Sequence, residues 1–245
     1  ISSHVAHRIQ EGSLERSSGG VSLRIEPVEG GAAISLSAEL LVVAAGRVPN
    51  SDSIGLEKTK ATVERGFIKV DAQMQTAEPH LYAVGDVIGG LQLAHVAAHE
   101  GMIAAHAIAG EPLHPMDYAK QPRATYCRPE VASVGFTTQE LERDSVPFTV
   151  GQVPFLAIAK AHVGGDADGF CKVIRHSESG ALLGVHMVGP KVTDLIAEAS
   201  LAMELGASAS QVGGTTHPHP TLSETVMESA EVFYGHATHV LARKK

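Results

Sequence analysis

Apolar and polar residues alternate twice near the start of the chain, as Val-Ser-Leu-Arg-Ile at 21–25 and Ala-Ile-Ser-Leu-Ser at 33–37. Alternation turns one side of each stretch toward a core, and Gly30-Gly31 between them supplies a turn, so a β-hairpin is predicted. Residues 39–46 then run almost without polar interruption, the pattern of a strand buried in an α/β sheet. Strand-like stretches follow at 67–71 and 81–86, the second ending in Gly85-Asp86. Residues 1–20 are polar and mixed, and read as a loop or an incomplete element.

At 93–110 the pattern changes to an Ala-rich run, which predicts a helix stopped at Gly110. Its side chains are small nearly all the way round, so burial against other backbone or a flat ligand is expected. Pro112, Pro115 and Pro122 punctuate residues 111–123, placing a domain boundary near 118. Strands are predicted beyond it at 131–136, 147–155, 169–175 and 182–188, the last two joined as a hairpin. Thr137 and Glu140 have the spacing of a capping box opening a brief helix. Apolar residues at 192, 195, 196, 199, 202 and 203 predict an amphipathic helix stopped by Gly206. A final helix is expected over 221–234. The predicted fold class is α/β followed by α+β, with helices laid on one face of an antiparallel sheet.

Composition narrows the function classes. In 245 residues, 44% are hydrophobic and 25 are Gly, enough for a packed core. A formal net charge of −8 opposes polyanions, whose binding draws on Lys and Arg, so nucleic acid and anionic membrane are excluded as main partners. No run of 18 apolar residues is present to make a membrane-spanning helix. Cys127 and Cys171 stand far apart, which suggests a reducing compartment, and a cytoplasmic location is expected. The chain begins at Ile1 without Met or a signal-like segment, and reads as cut from something longer or processed.

Three places carry candidate chemistry. The stretch 217–224, His-Pro-His-Pro-Thr-Leu-Ser-Glu, puts His219 five residues before Glu224 at a helix start, with Pro220 suited to the first helical position. An imidazole oriented by a carboxylate is half of a general acid/base device. The same spacing also fits a helix capped by His219 with Glu224 on its outer face. Gly85-Asp86 ends a predicted strand, where an Asp either closes a turn or hydrogen-bonds a sugar or polyol hydroxyl. Leu93, Ala94 and His95 open the Ala-rich helix, whose free N–H groups favour an electron-rich ligand atom. His95 and His99 have ligand spacing, but no third ligand is placed nearby, so no metal is expected there.

Taken in order, these motifs resemble the dihydrolipoamide dehydrogenase family of flavin disulfide reductases. The resemblance is carried by Gly-Arg-x-Pro-Asn at 46–50, Leu-Tyr-Ala-Val-Gly-Asp at 81–86, Leu-Ala-His at 93–95 with Glu100-Gly101, Pro129 to Gly135, Gly189-Pro190, and His-Pro-Thr-Leu-Ser-Glu at 219–224. It covers about the whole chain. It implies the C-terminal part of a flavoprotein with two dinucleotide-binding domains: residues 1–47 as the tail of the NAD domain, 48–117 as the end of the FAD domain, and 118–245 as an interface domain. It further implies FAD and NAD as cofactors. Asp86, after Gly85, would hold the ribityl chain, and the backbone of Leu93, Ala94 and His95 would lie against the flavin's pyrimidine edge. His219 would be the acid/base and Glu224 its orienting carboxylate, serving the partner subunit's site in a homodimer. A cis His219–Pro220 bond is implied, and lipoyl-bearing subunits of a 2-oxo acid dehydrogenase complex are implied partners. The sequence departs from a complete member in lacking both GxGxxG fingerprints and the redox-active Cys-x4-Cys pair, so the chain alone is expected to be inactive. Pro218 stands where Ala is often found, and Leu91 where Pro is usual. Sibling reductases share this architecture, and a non-catalytic dimerisation module is the reading of a different class.

Overall fold

A computed structural model describes residues 2–112 and 114–240. Residues 241–245 of the expected interface domain lie outside the described residues. The chain divides into two compact units, Ile1–Val48 and Pro49–Lys245.

The first unit is built on β3 (Gly20–Pro27). Two short strands, β1 (His7–Ile9) and β2 (Glu15–Ser17), pair its opposite ends, and β4 (Ile34–Ala38) pairs it from Val21 to Ile25. The β3–β4 hairpin is the predicted one, with Leu23 and Ile25 buried. Residues 1–20, expected as a loop or an incomplete element, contribute β1 and β2. Three residues are too few to show a period, and it is the long partner strand that makes them extended. The expected strand at 39–46 does not form: residues 40–50 carry no regular structure, and Leu40, Val42, Val43 and Val48 are exposed. An apolar run becomes a strand only with a neighbour to take its N–H and C=O groups, and no described strand flanks this one.

In the second unit a 3-10 turn at Leu56–Lys58 precedes a tight hairpin of β5 (Val63–Glu64) and β6 (Phe67–Ile68), turned by Arg65 and Gly66, both at positive φ. The strand predicted at 67–71 is this short because Asp71 begins another turn, its Oδ1 accepting the N–H groups of Gln73 and Gln75. The strand predicted at 81–86 reduces to one bridge, Gln75 to Tyr82, before the chain tightens into a 3-10 turn at Gly85–Ile88. Helix α1 (Ala94–Ala109) forms as predicted and stops at Gly110, whose left-handed conformation lets its N–H reach the carbonyls of Ala107 and His106. All-round burial does not follow. Only Val96, Glu100, Ile103 and Ala104 are buried, on the face packed toward Met74, while Met102 and Ile108 are exposed.

The rest is a five-stranded antiparallel sheet in the order β7-β8-β11-β10-β9. Its strands are β7 (Arg123–Thr125), β8 (Glu130–Gly135), β9 (Phe148–Pro154), β10 (Phe170–His176) and β11 (Leu182–Gly189). Between β8 and β9 lies α2 (Thr138–Arg143), opened by the predicted capping box with both reciprocal bonds in place. A helix that the pattern did not announce, α3 (Ala159–Gly164), follows β9. Helix α4 (Val192–Glu204) buries Val192, Ile196, Ala199 and Met203 against the sheet, and Gly206 turns left-handed just beyond it. Burial of a side chain the size of Val192, Ile196 or Met203 contributes about 1.5–3 kcal/mol. Next comes α5 (Ala209–Gly213), then α6 (Glu224–Glu231), which runs into a 3-10 turn at Val232–Tyr234. Helix α6 lies flush on β9, because any Cβ at Gly151 would collide with the Ser229 carbonyl oxygen. The Ser229 hydroxyl donates to the Cys171 carbonyl on β10. These contacts place the start of α6, and with it Glu224.

Candidate functional site

Glu224 is the first residue of α6 and is buried, while the segment before it is an irregular turn. One carboxylate oxygen meets His219 Nδ1 at 2.9 Å, and the other accepts the Thr221 N–H at 2.9 Å. Thr221 in turn donates its hydroxyl to the Pro218 carbonyl at 2.7 Å, closing the turn. The carboxylate side chain is 7% exposed and the imidazole 65%. Burial pushes the Glu224 carboxyl up, but the Thr221 N–H, the His219 ring and the charge of His239 outweigh it and leave the carboxyl below its ordinary value. With Nδ1 committed to the carboxylate, Nε2 is the nitrogen presented outward. A ring fixed on one nitrogen and exposed on the other can take or return a proton at a defined point.

The expectation for Pro220 is corrected. The helix starts at Glu224, four residues later, because residues 218–223 are held in a turn by Thr221 and Glu224. The His219–Pro220 bond is cis. Nor does His219 cap the helix: the cap residue is Ser223, without a side-chain hydrogen bond, and the ring bonds the Glu224 side chain.

Gly85 and Asp86 lie at the start of the 3-10 turn, which packs on α1. Gly85 has φ 77° and sits so close to the helix that an added Cβ would stand 3.2 Å from the Ala97 Cβ. Its N–H donates to Glu100 at 2.7 Å. Leu93 is the extended cap residue of α1 and offers no side-chain acceptor, so the first N–H groups of the helix, Ala94 and His95 among them, point out of its end without a side-chain cap. The His95 ring donates from Nε2 to the Pro122 carbonyl at 2.8 Å. His219 and Glu224 are thus brought together in one pair, and Gly85, Asp86 and the start of α1 form a second group on other elements.

Sequence reasoning passed over several carboxylate contacts. His217 Nε2 meets Glu198 of α4 at 2.7 Å and its Nδ1 faces the Thr215 carbonyl at 2.8 Å. Glu228 is buried and accepts the N–H groups of Thr238 and His239, the Thr238 hydroxyl and the His239 ring. Burial raises the Glu228 carboxyl, yet these donors prevail and hold it below its ordinary value. Glu231 pairs with His236 at 3.2 Å. Glu224, Glu228 and Glu231 form one stripe on α6 at i, i+4 and i+7, which the sequence does display. Their partners come from turns, which no period marks. Cys127 is exposed and Cys171 buried, both as free thiols, and burial pushes the Cys171 thiol up to about 12, which makes it inert at neutral pH.

Comparisons of sequence and fold with known proteins agree with one another. The model of the pyridine nucleotide-disulphide oxidoreductases matches residues 5–101, and that of their dimerisation domain matches residues 121–230. Dihydrolipoyl dehydrogenase of Bacillus subtilis is 46% identical over 93% of this chain and 48% of its own. That of Geobacillus stearothermophilus is 38% identical over 98% of this chain and 50% of its own. The chain spans about half the length of the curated relatives it matches. Among solved structures, LpdA from Mycobacterium tuberculosis superimposes with a TM-score of 0.82 at 27% identity, over 92% of this chain and 48% of that one. The flavoprotein disulfide reductase RclA from Escherichia coli shares the fold, with a TM-score of 0.81 at 23% identity over 92% of this chain and 50% of that one. Two family models that together match most of the chain, relatives alike over nearly its full length and a shared fold lead to one conclusion: the chain belongs to the pyridine nucleotide-disulphide oxidoreductase family.

Proposed function

We propose that this chain is the C-terminal half of an FAD-dependent disulfide oxidoreductase of the dihydrolipoyl dehydrogenase kind, with His219 as its acid/base and Glu224 as the carboxylate that orients it. The observation that carries this reading is the 2.9 Å bond from Glu224 to His219 Nδ1, which leaves Nε2 on the exposed side of the ring. A dithiol attacks a disulfide only as its thiolate. His219 Nε2 takes the thiol proton, and the buried Glu224 carboxylate stabilises the imidazolium that results. The proton returns to the leaving thiolate in the reverse direction.

The residues near α1 fit a flavin. Uncapped helix N–H groups at Ala94 and His95 suit the electron-rich pyrimidine edge, and the close approach at Gly85 brings the Asp86 backbone to the same end of α1. Asp86 would hold the ribityl hydroxyls. FAD, when bound, supplies the electron-pair transfer from dithiol to NAD+. In this reading residues 1–47 belong to the NAD domain, 48–117 to the FAD domain and 118–245 to the interface through which a homodimer forms. His219 then serves a redox-active Cys pair in the partner subunit, and the chain alone is inactive. Lipoyl-bearing subunits of a 2-oxo acid dehydrogenase complex are the natural partners, in the cytoplasm.

The test is His219→Gln in the complete protein. Turnover of dihydrolipoamide should fall by about 10²–10⁴-fold, the range for loss of a general acid/base, while the yellow flavin spectrum stays unchanged. Near-normal turnover would remove His219 from the chemistry. A complete protein purified without flavin would remove the cofactor from the reading.

A further inference from the structure

Glu100 is a carboxylate in the middle of α1 and is only 2% exposed. Burying a charge in this way is costly, and an apolar side chain of similar volume would serve packing at least as well. What the carboxylate does instead is accept two hydrogen bonds from different parts of the chain. One oxygen takes the Gly85 N–H at 2.7 Å, and the other takes the Tyr118 hydroxyl at 2.8 Å.

We propose that Glu100 is the positioning residue of the flavin-side turn, its carboxylate holding Gly85 against α1 so that Asp86 meets the cofactor's ribityl hydroxyls. The proposal rests on the FAD reading above. Three observations bear on it besides the Gly85 bond. Gly85 already lies against Ala97, three residues before Glu100 and on the same helix face, so the turn is seated on the first half of α1. Asp86 follows Gly85 directly, and a shift of the Gly85 backbone moves it with no intervening joint. Tyr118 stands just ahead of β7, and Pro122 in the same connecting segment accepts the His95 ring proton at 2.8 Å. Glu100 and His95 therefore tie both ends of the cofactor-facing half of α1 to residues 118–122. The phenol responds to this seat: burial first, then the Glu100 hydrogen bond and charge, push Tyr118 up to about 12, so it remains a donor throughout the neutral range.

The experiment titrates FAD into the flavin-stripped complete protein, for wild type, Glu100→Ala, Glu100→Gln and Tyr118→Phe, and records the melting temperature of each apoprotein. Glu100→Ala loses both bonds and should weaken FAD by about tenfold or more. Glu100→Gln should stay within about threefold of wild type, because its amide oxygen can accept the Gly85 N–H and its NH2 can donate to Tyr118 once the hydroxyl rotates. Tyr118→Phe, which leaves the Gly85 bond intact, should fall between the two. A Glu100→Ala protein that binds FAD as tightly as wild type overturns the proposal, whatever its melting temperature, since the carboxylate would then serve stability alone. A Glu100→Gln protein as impaired as Glu100→Ala overturns it also, by showing that charge rather than the two bonds is at work. Should Glu100→Ala fail to fold, Glu100→Gln and Tyr118→Phe decide the matter, and a Tyr118→Phe protein with a fully retained flavin affinity counts against the proposal. Wild-type protein that takes up no FAD at all refutes the functional reading itself, an outcome distinct from any difference among the variants.

Discussion

His217 and His219 stand two residues apart and each meets a glutamate at hydrogen-bond distance, yet the two pairs are built in opposite senses. At His219 the carboxylate is inside, 7% exposed, and the ring is outside, 65% exposed. At His217 the ring is inside, 4% exposed, and the Glu198 carboxylate is at the surface, 36% exposed. Both nitrogens of His217 face oxygen acceptors, so the ring is used up in holding the turn to α4. His219 spends one nitrogen on being held and keeps the other. A histidine beside a glutamate thus carries no function by itself. In the proposed reading, burial of the carboxylate leaves the His219 ring a nitrogen for chemistry, whereas burial of the ring commits His217 to structure.

The largest effects should separate the two pairs. His219→Gln is expected to abolish most turnover while leaving stability within about 0.5 kcal/mol, the usual range for an exposed position. His217→Ala should do the reverse. Losing a buried ring and its two bonds should lower stability by about 1–3 kcal/mol, read as a lower denaturation midpoint, with turnover reduced far less than in the His219 variant. Equal damage to turnover from both substitutions would erase the distinction.

A smaller effect concerns acid. Glu224 and Glu228 both have carboxyls held below their ordinary values in the folded chain. A depressed folded value contributes stability that is fully present above the unfolded value, about 4.3, and is lost as pH falls through the folded one. Melting temperature should therefore decline as pH drops from about 5 toward 3, and Glu228→Gln should flatten that decline without a large change in turnover. A slope identical to that of wild type would show that the carboxylate's four donors add nothing charge-dependent.

Local chemistry made much of this legible in the sequence. The β3–β4 hairpin, the capping box at Thr137 and Glu140, and helices α1 and α4 with their stops at Gly110 and Gly206 follow from alternation, caps and glycine. What failed depended on neighbours. The apolar run at 39–46 resembles β10 and β11 in composition, but those strands have partners on both edges and it has none among the described residues. Pro220 has the φ of a first helical residue, yet the hydrogen bonds of Thr221 and Glu224 delay the helix. The His219 and Glu224 pair lies within five residues and could be read directly. His217 and Glu198 are brought together by the packing of α4, and Glu100 and Tyr118 by the path of the connecting segment, so no local pattern announced them.

Whether Glu224 acts through His219 is decided by a double-mutant cycle on dihydrolipoamide turnover in the complete protein. Glu224→Gln alone should slow turnover by about 10–100-fold, the usual cost of losing an orienting partner. Added to His219→Gln it should cost less than about twofold more, because there is no longer an imidazole to orient. Losses that multiply in the double variant would mean that the two residues act separately, and the pair would not be the acid/base unit described above.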